Sequence, residues 1–194
     1  MYLPYGKEIA EKVKKYHLAN GGMPRFDKFE YYEKNILGKV LSDEKMKSLS
    51  AEFSSLVKKK VIAAPFVKGA LEFLEKYSQD YKCFIVSATP MDEMKEIAKE
   101  KKIAHYFQEI FGSPQNKIEW GKYILDTYNI KANETLFIGD AMSDFNASKA
   151  NEMHFLLRET EDNKDMFPEN ITSASDLNHL DKMIVNLYIT NLQK

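Results

Sequence analysis

The chain has 194 residues, 44% of them hydrophobic, which suits one well-buried core carrying at most a small accessory domain. With 28 Lys and Arg against 29 Asp and Glu, the net charge of −1 gives no bulk attraction to nucleic acid or to an anionic membrane. A single cysteine, Cys83, excludes an intrachain disulfide and a cysteine-based metal cluster. No run approaches the roughly 18 apolar residues of a membrane span. The opening Met1 to Gly6 does not read as a signal peptide, so the expected setting is the cytoplasm.

Residues 1–62 read as a helical block. Lys7 to Leu18 places Ile9, Val13, Tyr16 and His17 on one stripe and stops at Gly21-Gly22. Phe26 to Leu37 repeats the pattern with Phe26, Phe29, Tyr32 or Tyr31, Ile36 and Leu37. Ser42 is the expected N-cap of a third helix carrying Met46, Leu49, Phe53, Leu56 and Val57. At Ala63-Ala64-Pro65 the character changes, and over 63–194 helices alternate with strands, the sequence form of a parallel α/β sheet. Helices are expected over Val67–Tyr77, Asp92–Lys101, Lys117–Tyr128 and Asp144–Asn151. Continuous apolar runs at Cys83–Val86, Thr135–Ile138 and Phe155–Leu157 predict strands buried on both faces, with Cys83 a buried structural thiol. Phe107–Phe111 predicts a shorter strand. Arg158–Asn170 reads as a surface loop, and Ser175–Leu187 as a closing helix.

Three stretches carry chemistry. In Leu136-Phe137-Ile138-Gly139-Asp140-Ala141-Met142-Ser143-Asp144, a strand delivers Asp140 at its carboxyl end, where open α/β sheets bind ligands. Gly139 allows a tight turn, and Asp144 follows one helical turn later. Two such carboxylates suit a hard cation such as Mg²⁺; the alternative is a helix start whose dipole favours Asp144. In Phe84-Ile85-Val86-Ser87-Ala88-Thr89-Pro90, Ser87 and the N–H groups after it either hold a phosphate or cap the next helix. In Gly112-Ser113-Pro114-Gln115-Asn116-Lys117, Lys117 either neutralises phosphate or is a solvated surface charge, with Lys122 a nearby competitor.

The order hydroxyl, lysine, then Gly-Asp with a second Asp four residues on resembles motifs two, three and four of the haloacid dehalogenase superfamily, over roughly residues 61–157. The helical block before it, with His17-Leu18-Ala19-Asn20-Gly21-Gly22 and Arg25-Phe26-Asp27-Lys28-Phe29, looks like the cap of phosphoglycolate-phosphatase-like members. The resemblance implies a Rossmann-like parallel core with an N-terminal helical cap. It also implies Mg²⁺-dependent phosphatase activity on a small phosphorylated metabolite. Ser87 and the Ala88 N–H would then bind the phosphoryl group, and Lys117 would steady that group and the nucleophile. Asp140 would ligate Mg²⁺, and Asp144 would complete or orient the metal shell. Gly21, Gly22 and Arg25 would face the substrate or form a structural turn.

Family members open with a strand ending in Asp-x-Asp-Gly, whose first Asp attacks phosphorus and whose second is the acid and base. No Asp-x-Asp occurs in this chain, and Asp27, Asp43 and Asp80 lie within or beside predicted helices. The expectation is therefore a sheet without its first core strand, truncated by roughly 20–25 residues and inactive for want of the nucleophile. Its two unpaired interior edges would be open to homodimer formation by strand addition. The competing expectation is a short relative that binds without hydrolysing. Dehalogenase and phosphoryl-mutase chemistry stay open alternatives, whereas no Gly-x-Gly-x-x-Gly follows any strand to support dinucleotide binding.

Overall fold

The computed structural model describes the backbone of residues 1–192 and the side chains of residues 1–186. The cap begins with helix α1 (Lys7–Ala19) and α2 (Arg25–Tyr31), the latter running into a π-helical turn at Tyr32–Ile36, and closes with α3 (Asp43–Ala63). Ser42 caps α3 by accepting from the Lys45 N–H at 3.2 Å. The three helices bury Tyr2, Val13, Phe29, Tyr32 and Leu49 together. Tyr16 and Tyr31 stack 3.7 Å apart beside them, and each large side chain so buried contributes roughly 1.5–3 kcal/mol.

The buried face of α2 differs from its apolar reading. Arg25, Lys28, Phe29, Tyr32 and Glu33 are all buried, and their spacing is that of one helical stripe. Three charges therefore share the face with two rings, while Phe26 is only partly covered. Leu56, read as a core position of α3, is 50% exposed.

After α3 the chain forms α4 (Ala70–Tyr77), β1 (Phe84–Pro90), α5 (Met91–Glu100), β2 (Glu109–Ser113), α6 (Lys117–Tyr128), β3 (Leu136–Gly139), α7 (Met142–Ala150), β4 (His154–Arg158), β5 (Ser173–Ala174) and α8 (Leu180–Leu192). Every strand pair is parallel, with Ile85 beside Ile110, Gly139 beside Leu157, and Leu157 beside Ser173. The short β5 was not anticipated, because two polar-flanked residues carry no strand signal.

The sheet runs in two pieces, β1–β2 and β3–β4–β5. Among the described residues no strand hydrogen-bonds to the free edges of β1 and β3. Both strands are only partly buried along their whole length, whereas Phe111 of β2 and Leu156 and Leu157 of β4 are buried. This corrects the expectation that Phe84–Val86 and Leu136–Ile138 are buried on both faces. Each carries an edge with unmatched backbone groups, and side chains beside such an edge keep solvent contact. Cys83, at the foot of β1, is likewise part-exposed rather than buried, although burial still pushes its thiol pKa up. The run Met183–Ile189 lies in helix α8, so it does not fill the space between β1 and β3.

The cap joins the core along α3 and α5. Glu93 pairs with Arg25, Lys58 pairs with Glu96, and Lys101 Nζ donates to the carbonyls of Ile62 (3.2 Å) and Ala64 (2.7 Å) at the end of α3. The last contact places a cation at a helix C-terminus, where the dipole favours it.

Candidate active site

Asp140 leaves the carboxyl end of β3 exposed to solvent. Its carbonyl accepts from Asn163 Nδ2 at 2.9 Å, and the same nitrogen donates to the Arg158 carbonyl at 3.0 Å. Asn163 Oδ1 in turn accepts from the Thr160 N–H at 2.7 Å. One buried amide thus ties the ends of β3 and β4 together and fixes the backbone that carries Asp140. The reading of Arg158–Asn170 as a plain surface loop missed this residue, and nothing local in the sequence signals it.

Asp144, in the first turn of α7, is 5% exposed. Its Oδ1 accepts from Lys117 Nζ at 2.5 Å and its Oδ2 from the Ala141 N–H at 3.1 Å. Burial pushes the carboxyl above the usual carboxylate range, against the pull of Lys117 and of the Ala141 N–H, and the Asp140 charge adds to the rise. Gly139 makes this possible by lacking a side chain: a Cβ there would lie 2.3 Å from Asp144 Cβ and Cγ. Its role is space for Asp144 rather than the tight turn expected of it.

Lys117 is the first residue of α6. Asn116 and Glu119 form a reciprocal capping box before it, at 2.9 and 3.1 Å. Trp120 Nε1 holds the next turn to the Gly112 carbonyl at 2.9 Å. Lys122 points elsewhere, pairing with Asp126 at the surface, so Lys117 is the lysine that reaches the rim.

The cap closes over this point. Gly22, at φ +74, sits where a Cβ would lie 2.2 Å from Ser143 Oγ, 2.8 Å from Ala141 Cβ and 3.3 Å from Lys117 Nζ. Ser143 Oγ donates to the Gly22 carbonyl at 3.2 Å. Only glycine combines that backbone conformation with that approach. Ser143 was legible in principle, since it lies between the two aspartates. Arg25 does not reach this point by any hydrogen bond. It donates to Ser54 Oγ (2.6 Å) and Glu93 Oε1 (2.9 Å).

Ser87 Oγ accepts from the Thr89 N–H at 3.1 Å. The N-cap of α5 is Pro90, with no side-chain cap bond, so Ser87 is not the helix cap and keeps its own hydroxyl hydrogen. Among the described residues, no hydrogen bond or ion pair joins Ser87 or Ala88 to Lys117, Asp140 or Asp144. The structure brings Lys117, Asp144 and the cap turn together, with the Asp140 charge felt at Asp144, and Ser87 stands in β1. Ser113 Oγ and Arg158 Nε, at the ends of β2 and β4, are buried without hydrogen bonds.

No group of three or more His, Cys, Asp or Glu able to hold a metal occurs among the described residues. Both Asp144 oxygens accept hydrogen bonds from the protein. The exposed Asp140 carboxylate remains. Mg²⁺ commonly takes one or two protein carboxylates and completes its shell with phosphate and water, and this donor set fits that mode through Asp140. Asp27 and Asp43 lie in α2 and at the start of α3, and Asp80 just after α4. None stands at a strand end.

The profile of the haloacid dehalogenase-like hydrolases matches residues 9–157. This spans more than half the chain, and the chain belongs to that family. Among curated proteins, none is similar enough in sequence to count as a relative. Solved structures share the fold. A β-phosphoglucomutase of Clostridium difficile is 16% identical over 97% of this chain and 89% of its own, with a TM-score of 0.76. A predicted phosphoglycolate phosphatase of Haemophilus somnus is 16% identical over 86% of this chain and 79% of its own, at 0.64. A magnesium-bound haloacid dehalogenase-type hydrolase of Bacillus subtilis is 15% identical over 92% and 79%, at 0.63. At these identities the likeness speaks for the fold alone. No helix among the described residues is long and apolar enough to cross a membrane.

Proposed function

We propose that the rim around Lys117 and Asp140 is a phosphoryl-binding site, and that the activity it serves is Mg²⁺-dependent hydrolysis of a small phosphorylated metabolite. The observation that carries this reading is the buried Lys117–Asp144 pair beneath the cap turn at Gly22. A lysine held there by a carboxylate is a compact, positioned cation for a phosphate oxygen. In this reading the Ser87 hydroxyl and the Ala88 N–H take the remaining phosphoryl oxygens, and Asp140 holds the metal through its carboxylate. A bound Mg²⁺ would offset negative charge on the transferring group. The cap turn would exclude water from the reacting oxygens. A cytoplasmic setting belongs to the same proposal and rests on the single unpaired cysteine.

None of these residues supplies the attacking carboxylate. We therefore propose that the 194-residue chain binds phosphate and does not hydrolyse its esters, and that a strand bearing Asp-x-Asp-Gly between β1 and β3 would restore turnover. The expected result is no Mg²⁺-dependent release of nitrophenol from p-nitrophenyl phosphate by the chain as it stands. Extension at its amino end by such a strand should give turnover that Asp140→Asn abolishes. Silence of the extended protein across a panel of phosphate esters would overturn the hydrolase reading. An ordinary phosphatase rate in the unextended chain, lost on Asp140→Asn, would overturn the inactivity. The open edges of β1 and β3 favour a second reading, a non-catalytic binding protein on the same scaffold, which silence of both proteins together with retained phosphate binding would support.

A further inference from the structure

We propose that the cap carries a second ligand site, separate from the phosphoryl site: a cavity that takes a small organic anion, its head group on Lys28 and its apolar body against Val13, Phe29 and Phe53. The cavity has a volume of about 310 Å³ and is lined by residues of the cap alone. That places it at the lower end of small-molecule sites, which run from roughly 300 to 1,000 Å³. Neither Lys117 nor Asp140 lines it.

Lys28 is the observation that defines the ligand. It is 6% exposed, and among the described residues its ammonium donates only to the His17 carbonyl, at 3.4 Å. An ammonium has three donors, so two are left without an acceptor. Among the described residues Lys28 forms no ion pair, and three carboxylates of the cap and its junction with α5 are engaged elsewhere. Glu33 accepts from the Tyr2 hydroxyl at 3.3 Å, Glu52 pairs with the Met1 amino group, and Glu93 takes Arg25 and Ser54. Asp27, the sequence neighbour, makes no ion pair with it, as expected of adjacent helical positions that do not face each other.

An uncompensated buried cation is unfavourable, and a methionine would fill the same volume without that penalty. The apolar walls raise the electrostatic value of any anion that enters. A second donor stands beside Lys28. His17 Nδ1 lies 3.2 Å from the Tyr32 hydroxyl, and with Nδ1 accepting from that hydroxyl, Nε2 carries the proton and can donate. Burial and the Lys28 charge keep the imidazole below its ordinary titration range, so it enters as a neutral donor. Lys14 and Arg25 also line the cavity, Lys14 exposed and Arg25 held by Glu93. The buried Lys28 ammonium, one N–H and three apolar walls select a carboxylate on an aliphatic or aromatic body. A bare inorganic ion leaves the walls unfilled.

Benzoate and hexanoate are suitable probes, with benzamide as the neutral control, titrated calorimetrically into the full chain without Mg²⁺. Saturable binding of the two carboxylates is expected, with benzamide roughly tenfold weaker or worse, as for loss of a charge-assisted hydrogen bond. Benzoate should also shift the imidazole resonances of His17. Lys28→Met should weaken carboxylate binding by a similar factor while melting no lower than the parent, which separates lost binding from lost folding. An excess of inorganic phosphate, directed at the phosphoryl site, should leave the carboxylate affinity unchanged. Absence of saturable binding, full affinity in Lys28→Met, or binding abolished by competing inorganic phosphate would each overturn the proposal. The last result would place the ligand at the phosphoryl site instead. Because no probe is a phosphate ester, failure here leaves the turnover experiment unaffected.

Discussion

At the scale of single residues, Lys117 and Asp144 stabilise each other inside the protein, and neither is tolerable there alone. Lys117→Met leaves Asp144 buried without its counter-charge. The expected loss is about 3–5 kcal/mol in urea unfolding, with Lys117→Met/Asp144→Leu recovering most of it. A single-mutant loss under about 1 kcal/mol, typical of surface pairs, would show that the pair is not a structural unit. His17 gives a pH dependence whose sign follows from its environment. Burial and Lys28 lower its folded-state pKa below the ordinary 6.5. As pH falls through 6.5 the unfolded chain takes up a proton that the folded protein refuses, so stability declines until the folded pKa is passed. His17→Gln should flatten that part of the stability curve; an unchanged slope between pH 7 and 5 would count against the assignment. The types and order of Ser87, Lys117, Asp140 and Asp144 were legible in the sequence. That Asp144 pairs with Lys117 was not, because the two meet across 27 residues of chain.

At the scale of elements, helix and strand periods predicted most segments to within a few residues, since burial of one face dictates each period. The orientation of α2 escaped that logic. Arg25 is acceptable on its buried face only because Glu93, 68 residues later on α5, meets it there. Burial works to raise the Glu93 carboxyl, but the hydrogen bonds from Arg25 and Ser54 and the Arg25 charge override it and hold it below the usual range. This cluster fastens the cap to the core. Glu93→Gln removes the counter-charge while keeping an acceptor, and should cost about 1–3 kcal/mol. Hydrogen exchange should accelerate in α2 and α3 and stay unchanged in β4. Uniform exchange throughout would mean the contact does not govern cap docking.

At the scale of the whole molecule, the two-piece sheet is the dominant feature. Free edges on β1 and β3 expose rows of backbone donors and acceptors that a further strand can pair. We propose that the chain satisfies them by homodimerisation, and light scattering should then return twice the monomer mass. A clean monomer at high concentration would remove that proposal and leave the edges solvated.

The amino-acid sequence alone determined that an all-helical block precedes a parallel α/β half, and which residues stand at the ends of the strands. Both follow from local periodicity and from short-range turn chemistry. Only the tertiary structure decided that Lys28 lies buried beside a cavity, that Gly22 seats on Ser143, that Asn163 clamps Asp140, and that Asp144 meets Lys117. Each of these depends on groups distant in the chain meeting in a low-dielectric interior, where an unpaired charge or polar atom is penalised and its partner is fixed by packing.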